Sequence, residues 1–211
     1  MFIECPPLIF RQLFPEALFR IPGKEKCVYL TFDDGPIPEV TPWVLDVLDQ
    51  YHVKATFFMV GDNVVRNPHL YQEVKRRGHC VGNHTMNHMQ GSKVLTRTYL
   101  HNILLANEHI KSTLFRPPHG WLRFKQAKII KRHFTIVMYD LITRDYSKRL
   151  TANDVYKNVC RYARNGSIIV FHDSLKSFPR LKEALPKSIE WLKQQGYQFK
   201  TLETFNNQNI E

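Results

Sequence analysis

The stretch YLTFDDGP, residues 29–36, sets an apolar run against two adjacent aspartates and then a Gly–Pro break. A strand buries Tyr29 to Phe32 readily. It does not bury two unpartnered carboxylates, because taking an unpaired charge out of water is expensive. Asp33 and Asp34 therefore belong at the end of a strand, beside groups that need them. Gly35-Pro36 marks the turn that follows.

The same pattern recurs along the chain. Short apolar runs rich in β-branched and aromatic residues predict strands over 27–33, 55–60, 79–83, 113–117, 135–140, 167–172 and 197–201. Helical spacing predicts helices over 41–51, 68–78, 98–110, 152–166 and 180–196. Thr41 reads as an N-cap with Pro42 at the first helical position. Gly78 reads as the residue that closes the second helix, and Pro186 as a kink or split in the last. The basic stretches EVKRRGH and FKQAKIIKRH look like solvated helix faces. Strands that alternate with helices imply parallel βα units. The predicted class is α/β, a single domain built as a closed or nearly closed barrel of about seven parallel strands, with a doubly wound open sheet as the alternative. Both place their chemistry at the carboxyl ends of strands.

Length and composition bound the rest. A chain of 211 residues, 43% hydrophobic and 23% charged, suits one folded domain. The net charge of +11 is scattered rather than clustered with aromatics, which argues against a nucleic-acid partner. A long anionic substrate would still be attracted. The cysteines at 5, 27, 80 and 160 form no CxxC and match no zinc module, and Cys27 and Cys80 read as buried thiols. The apolar opening of the chain is interrupted by Glu4, Pro6, Pro7 and Arg11, which fits no secretory signal, and no run suits a transmembrane helix. The expectation is a soluble protein, cytoplasmic if the chain is complete and exported if a signal has been removed. Its oligomeric state cannot be read.

Polar residues gather at the predicted strand ends. Asp33 and Asp34 follow the first strand, and His84 and His88 lie in NHTMNH after the third. Arg116 ends the fourth in FRPPHG, Asp140 and Asp145 follow the fifth in YDLITRDY, and His172 and Asp173 end the sixth in FHDS. His84 and His88, four apart, would share one face of a helical turn. Together with one carboxylate they form a facial set for Zn²⁺ with open positions for water. Asp34 is read as that ligand and Asp33 as a base beside the metal. Adjacent strand residues point to opposite faces, so this reading requires a bend after Phe32.

These residues resemble the polysaccharide deacetylases of the NodB type, carbohydrate esterase family 4. TFDDGP, HTMNH, RPPHG and VFH match four of its motifs in order, and the likeness spans about residues 27 to 202. The resemblance implies a distorted (β/α) barrel and removal of acetyl groups from an amino-sugar polysaccharide such as peptidoglycan or chitin-like chains. It implies Asp33 as catalytic base and Asp34, His84 and His88 as ligands of Zn²⁺, with Co²⁺ or Ni²⁺ as other candidates. It implies His172 as general acid, Arg116 as the group that orients Asp33, and the backbone N–H of His119 as an oxyanion donor. The expected layout is an N-terminal extension packed on the barrel over 1–26, the catalytic domain over 27–202 and a tail over 203–211.

The fourth family motif is altered. Its second Asp matches Asp145, its Trp is replaced by Tyr146, and Ile142 stands where the first Asp would tune the acid histidine. Asp145 is the leading candidate for that carboxylate and Asp140 the second. Val170 replaces a Leu in the last motif, which would widen the acetyl pocket. Trp121 follows RPPHG and could stack on a sugar, whereas Trp43 and Trp191 read as core. O-deacetylation of a xylan-type polymer stays open, as does an impaired carbohydrate-binding homologue.

Overall fold

β2 (Cys27–Asp33) is buried at every one of its residues, and the sheet extends from it on both sides. The computed structural model describes residues 4–204; the outermost residues of the expected N-terminal extension and, from 205 on, the expected tail lie outside the described residues. The other strands are β1 (Ala17–Leu18), β3 (Thr56–Met59), β4 (Cys80–Asn83), β5 (Leu114–Phe115), β6 (Thr135–Val137), β7 (Leu141–Ile142), β8 (Ser167–His172) and β9 (Gln198–Phe199). Their order is β1-β6-β5-β4-β3-β2-β8-β7, with β9 on β2. Every ladder between these strands is parallel, and the sheet curls into a half-barrel.

The helices are α1 (Leu8–Leu13), α2 (Thr41–Gln50), α3 (Gly61–Arg66), α4 (Pro68–Arg76), α5 (Thr96–Ile110), α6 (Phe124–Ile130), α7 (Ala152–Tyr162) and α8 (Phe178–Gln194). Among the described residues no helix is long and apolar enough to cross a membrane. The cysteines are all unpaired, and Cys27 and Cys80 are buried.

Strand alternation sorts the core into two sides. Val28, Leu30 and Phe32 join Ile169 and Phe171 in the cluster that packs against α2 and α8. Phe32 stacks on Phe57 at 5.0 Å and on Phe171 at 6.0 Å. Cys27, Tyr29 and Ile168 fall in another cluster, inside the curl. In-register pairing then builds interior rows: Tyr29 beside Ile168, Thr31 beside Val170, Asp33 beside His172. The rows are apolar at the amino ends of the strands and polar at the carboxyl ends.

Each strand predicted from sequence is present within about two residues of its expected bounds, except that β6 stops at Val137. β1 and β7 were not predicted: each has only two residues, and unlike the equally short β5 and β9 they lie outside the runs read as strands. Thr41 is not the N-cap of α2. Val40 holds that place, and the Thr41 hydroxyl bonds Asp173 at 2.6 Å. α7 stops at Tyr162, short of the expected Gly166, which turns the chain with φ +79 into β8. α8 runs as one helix through Pro186.

Residues 4–18 touch both ends of the sheet path. β1 pairs with β6 at one end. At the other, Ile142 N–H donates to the Glu4 carbonyl at 2.8 Å, and Arg144 meets the Glu4 carboxylate at 2.6 Å. Between them Arg11 reaches the buried Asp140 at 2.7 Å. Asp140 also accepts two bonds from Arg164, at 2.9 and 2.6 Å, and one from Ser167 at 2.6 Å. Burial alone would raise its pKa, but these donors hold it below the usual carboxylate range.

Asp140→Ala should therefore destabilise the fold by about 2–3 kcal/mol, at or just below the range for breaking a fully buried pair, because Arg164 stays half in solvent. The midpoint of urea unfolding reads this directly. A midpoint equal to that of the unaltered protein would refute the structural role given to Asp140.

Candidate active site

The carboxyl ends of β2, β4, β5 and β8 surround a cavity of about 510 Å³. Asp33 is the last residue of β2, paired with Phe58 on one side and His172 on the other. Its Oδ1 accepts Arg116 Nη1 at 2.6 Å. Arg116 follows β5 and is buried. Nη1 also donates to Thr31 Oγ1 at 2.8 Å, Nη2 donates to the Met138 carbonyl at 3.1 Å, and the guanidinium lies 4.0 Å from the Phe58 ring centre. Burial lowers the Arg116 pKa, and the Asp33 charge opposes that shift. This geometry sets one charge-assisted bond with defined direction on Asp33.

The bend comes one residue later than expected. β2 continues through Asp33, and Asp34 takes φ +85. A residue other than glycine in that region costs on the order of 1 kcal/mol, so the surroundings must hold it. Asn63 Nδ2 donates to the Asp34 carbonyl at 2.8 Å. Gly35 N–H donates to Asp173 Oδ1 at 3.1 Å, and Thr41 donates to Asp173 Oδ2 at 2.6 Å. A Cβ on Gly35 would lie 2.0 Å from Asp173 Oδ2. Burial pushes the Asp173 carboxyl up to about 8; the Thr41 hydrogen bond opposes this and the Asp34 charge adds to it. Neither Asn63 nor Asp173 was assigned a role from sequence. Asp173 was visible at a strand end, but nothing in the chain announces a partner 138 residues away.

His84 and His88 do meet Asp34, though not on a helix. They lie on a loop after β4 in which Thr85 and His88 take φ +66 and +56. The helical expectation fails because the side chains of Asn83, Thr85 and Asn102 bond loop N–H groups, at 2.8 to 3.0 Å, in place of a helical ladder. His84 Nδ1 lies 2.8 Å from the Arg116 carbonyl. A carbonyl only accepts, so Nδ1 carries the hydrogen and Nε2 is left as a ligand atom. Burial lowers the His84 pKa to about 4, which keeps the ring neutral.

Asp34 Oδ1 stands 3.9 Å from His84 Nε2 and 3.2 Å from His88 Nε2. It is buried and accepts no well-formed hydrogen bond. Its pKa is lowered: burial acts to raise it, and contact with His88 and the charge of His172 outweigh that. One carboxylate oxygen and two imidazole nitrogens lie within 4.8 Å of one another. A buried acceptor without a donor, facing two imidazole nitrogens, fits a divalent cation.

On the opposite wall His172 Nδ1 lies 2.7 Å from Asp145 Oδ1, and the His172 backbone N–H donates to Asp145 Oδ2 at 2.7 Å. Asp145 is fully buried. Burial disfavours the imidazolium, but Asp145, with smaller pulls from Asp34 and Asp33, raises the His172 pKa to about 9. Asp140 instead belongs to the ion cluster beside β8. Ile142 lines the cavity and pairs with Val170, which lines it too. Tyr146 meets His172 edge-on at 5.0 Å. His119 lines the cavity with φ +62, its ring 4.8 Å from His88, and burial lowers its pKa. Trp121 is half exposed at the rim and packs edge-on against Phe10. Trp43 and Trp191 pack against the helix-side core, as expected.

The profile of the polysaccharide deacetylase family matches residues 20–134 of this chain. A peptidoglycan-N-acetylglucosamine deacetylase of Bacillus cereus is 36% identical over 205 residues, which cover 92% of this chain and 96% of that protein. The peptidoglycan-N-acetylglucosamine deacetylase PgdA of Listeria monocytogenes is 34% identical over 192 residues, 88% of this chain but 40% of its own length. The crystal structure of the Bc1960 peptidoglycan N-acetylglucosamine deacetylase in complex with 4-naphthalen-1-yl-N-oxidanyl-benzamide matches with a TM-score of 0.86 at 33% identity, over 93% of this chain and 95% of that one.

The contact between Gly35 and Asp173 yields a test of how the turn is held. Gly35→Ala should destabilise by about 1–3 kcal/mol through overpacking. Adding Asp173→Ala removes the obstructing carboxylate, so the double variant should lose less than the two single variants summed. Strict additivity in urea unfolding would contradict the close approach.

Proposed function

The chain belongs to the polysaccharide deacetylase family, and from that premise we propose that its cleft removes acetyl groups from the amine nitrogen of sugar residues in a peptidoglycan- or chitin-like glycan. One observation carries this reading. Asp33 and His172 stand side by side on β2 and β8, one bonded to a guanidinium and the other to a carboxylate. That contrast supports a base and an acid facing one substrate. The named activities of the relatives support the substrate class.

Asp34, His84 and His88 would hold the divalent cation, and Zn²⁺ best suits one carboxylate with two imidazoles. When bound, the cation supplies Lewis acidity and makes water more acidic. Arg116 binds Asp33 Oδ1, so Asp33 takes the proton of the attacking water at Oδ2. The water oxygen adds to the acetyl carbon, and the backbone N–H of His119 donates to the carbonyl oxygen as it gains charge. Asp145 holds Nδ1–H of His172, which leaves Nε2–H to protonate the departing amine as the C–N bond breaks. The products are acetate and a free amino sugar. Val170 and Ile142 wall the acetyl methyl, while Tyr146 and Trp121 border the sugar.

Acetate release from a panel of acetylated oligosaccharides, with and without a chelator, tests activity and metal dependence together. Asp33→Asn should keep the metal and lose about 10²–10⁴-fold in rate. Asp34→Asn, His84→Ala and His88→Ala should lose the metal itself, read by elemental analysis. Equal metal content and equal residual rate in the two aspartate variants would sink the division of labour.

The pH profile separates the two candidate tuners. An ionised base and a protonated acid give a bell-shaped kcat/KM, with His172 on the alkaline limb. Asp145 stabilises the imidazolium, so Asp145→Asn should let the proton leave at lower pH and move that limb toward the ordinary imidazole range near 6.5. The starting point lies below about 9 in the metal-loaded protein, because a cation cancels the pull of Asp34. Asp140→Asn should leave the limb in place. A shift in that variant, and none in Asp145→Asn, would reverse the assignment.

A further inference from the structure

A second cavity, of about 470 Å³, adjoins the first and shares Tyr146 and Lys176 with it. Its other lining residues are Arg144, Ser147, Lys148 and Arg149, so four of the six carry positive charge and none is acidic. Arg144 is matched by Glu4 and serves as wall. Lys148, Arg149 and Lys176 are exposed. Among the described residues no carboxylate pairs with any of the three. The acid nearest in sequence to Lys148 and Arg149, Asp145, is turned inward to His172, and the one nearest to Lys176, Asp173, is buried against Gly35 and Thr41. The Lys176 ammonium lies 5.4 Å from the Tyr146 ring centre, and the Tyr146 ring borders His172. The groove thus begins one side chain away from the end of β8.

Three unmatched cations around one concave surface repel one another and focus a positive potential into it. An anion entering the groove relieves that repulsion. The groove is continuous with the cavity that receives the sugar, so the anion belongs on the same polymer, one residue along. We propose that this groove takes a carboxylate carried by the sugar next to the one that loses its acetyl group, so that the protein prefers acidic amino-sugar glycans to neutral chitin-like ones. The proposal rests on the deacetylase reading of the adjoining cavity. The carboxylate has two sources in an acidic glycan: an acid ether on the neighbouring sugar, or a peptide stem attached to that ether.

The test uses three tetrasaccharides of alternating N-acetylglucosamine and N-acetylmuramic acid: one with free lactyl carboxylates, one with those carboxylates as primary amides, one with peptide stems. Dissociation constants are measured by calorimetry on the metal-loaded Asp33→Asn protein, and KM on the unaltered enzyme. A charged glycan should bind about 5- to 10-fold more tightly than its amide at low salt. The gap should close at 1 M salt, where the screening length is about 3 Å. A gain in the free-carboxylate glycan assigns the charge to the ether; a gain only with stems assigns it to the peptide.

Lys148→Gln/Arg149→Gln, at positions that do not line the first cavity, should remove most of the preference while the thermal midpoint holds. Equal affinity for charged and amidated glycans, or a preference the double variant keeps in full, overturns the proposal. Should the enzyme release no acetate from any glycan, the deacetylase reading fails, while the calorimetric comparison still decides the groove.

Discussion

A guanidinium set inside a curl of apolar side chains is the constraint on which the rest of this structure depends. Arg116 is 2% exposed, and an unpaired cation there would cost several kcal/mol. Its partners lie on different strands: Asp33 and Thr31 on β2, Phe58 on β3, and the Met138 carbonyl just past β6. β5, which delivers Arg116, is three steps from β2 in the sheet order. In a flat sheet those strands would stand about 14 Å apart. Contact at 2.6 Å follows from the curl, with Arg116 reaching across its interior. The same bond that satisfies the buried cation points the Asp33 carboxylate into the cavity.

Asp33 and Asp34 show how one residue type acquires two chemistries. Alternation along a strand would send them to opposite faces. The positive φ of Asp34 brings both into the same cavity, where Asp33 meets a guanidinium and Asp34 meets two imidazoles. A third carboxylate, Asp173, stands behind the turn and binds Gly35 and Thr41. Without it the turn would have fewer fixed points. The strained residue and its support thus come from the ends of neighbouring strands, β2 and β8.

The buried aspartates beyond this turn divide their work by partner as well. Asp140 binds Arg11 and Arg164 and joins the N-terminal segment to the sheet. Asp145, five residues on, binds the backbone and ring of His172. Neither exchange of roles is open to them: β7 lies between the two, and Arg144 with φ +62 turns the chain so that Asp145 meets the end of β8.

Much of this was legible in the residues themselves. β2 and β8 were readable because strands buried on both faces form unbroken apolar runs. Asp33, Asp34, His84, His88, Arg116, Asp145 and His172 were readable because polar residues at successive strand ends converge on one rim. The spacing of His84 and His88 suggested a helix, and the structure holds a loop, since side-chain bonds from Asn83, Thr85 and Asn102 compete with helical ones. β1, β7 and the choice of Asp145 over Asp140 needed the fold, because a two-residue strand outside a strand-like run shows only by its pairing and an aspartate's partner is set by distance in space. The basic groove of Lys148, Arg149 and Lys176 likewise joins two loops whose nearness no local pattern encodes. Local sequence determines which segments form strands or helices and which residues can do chemistry, through periodicity and side-chain type; tertiary structure decides which of those residues share an environment, because strand pairing and backbone turns bring distant charges within a few ångströms.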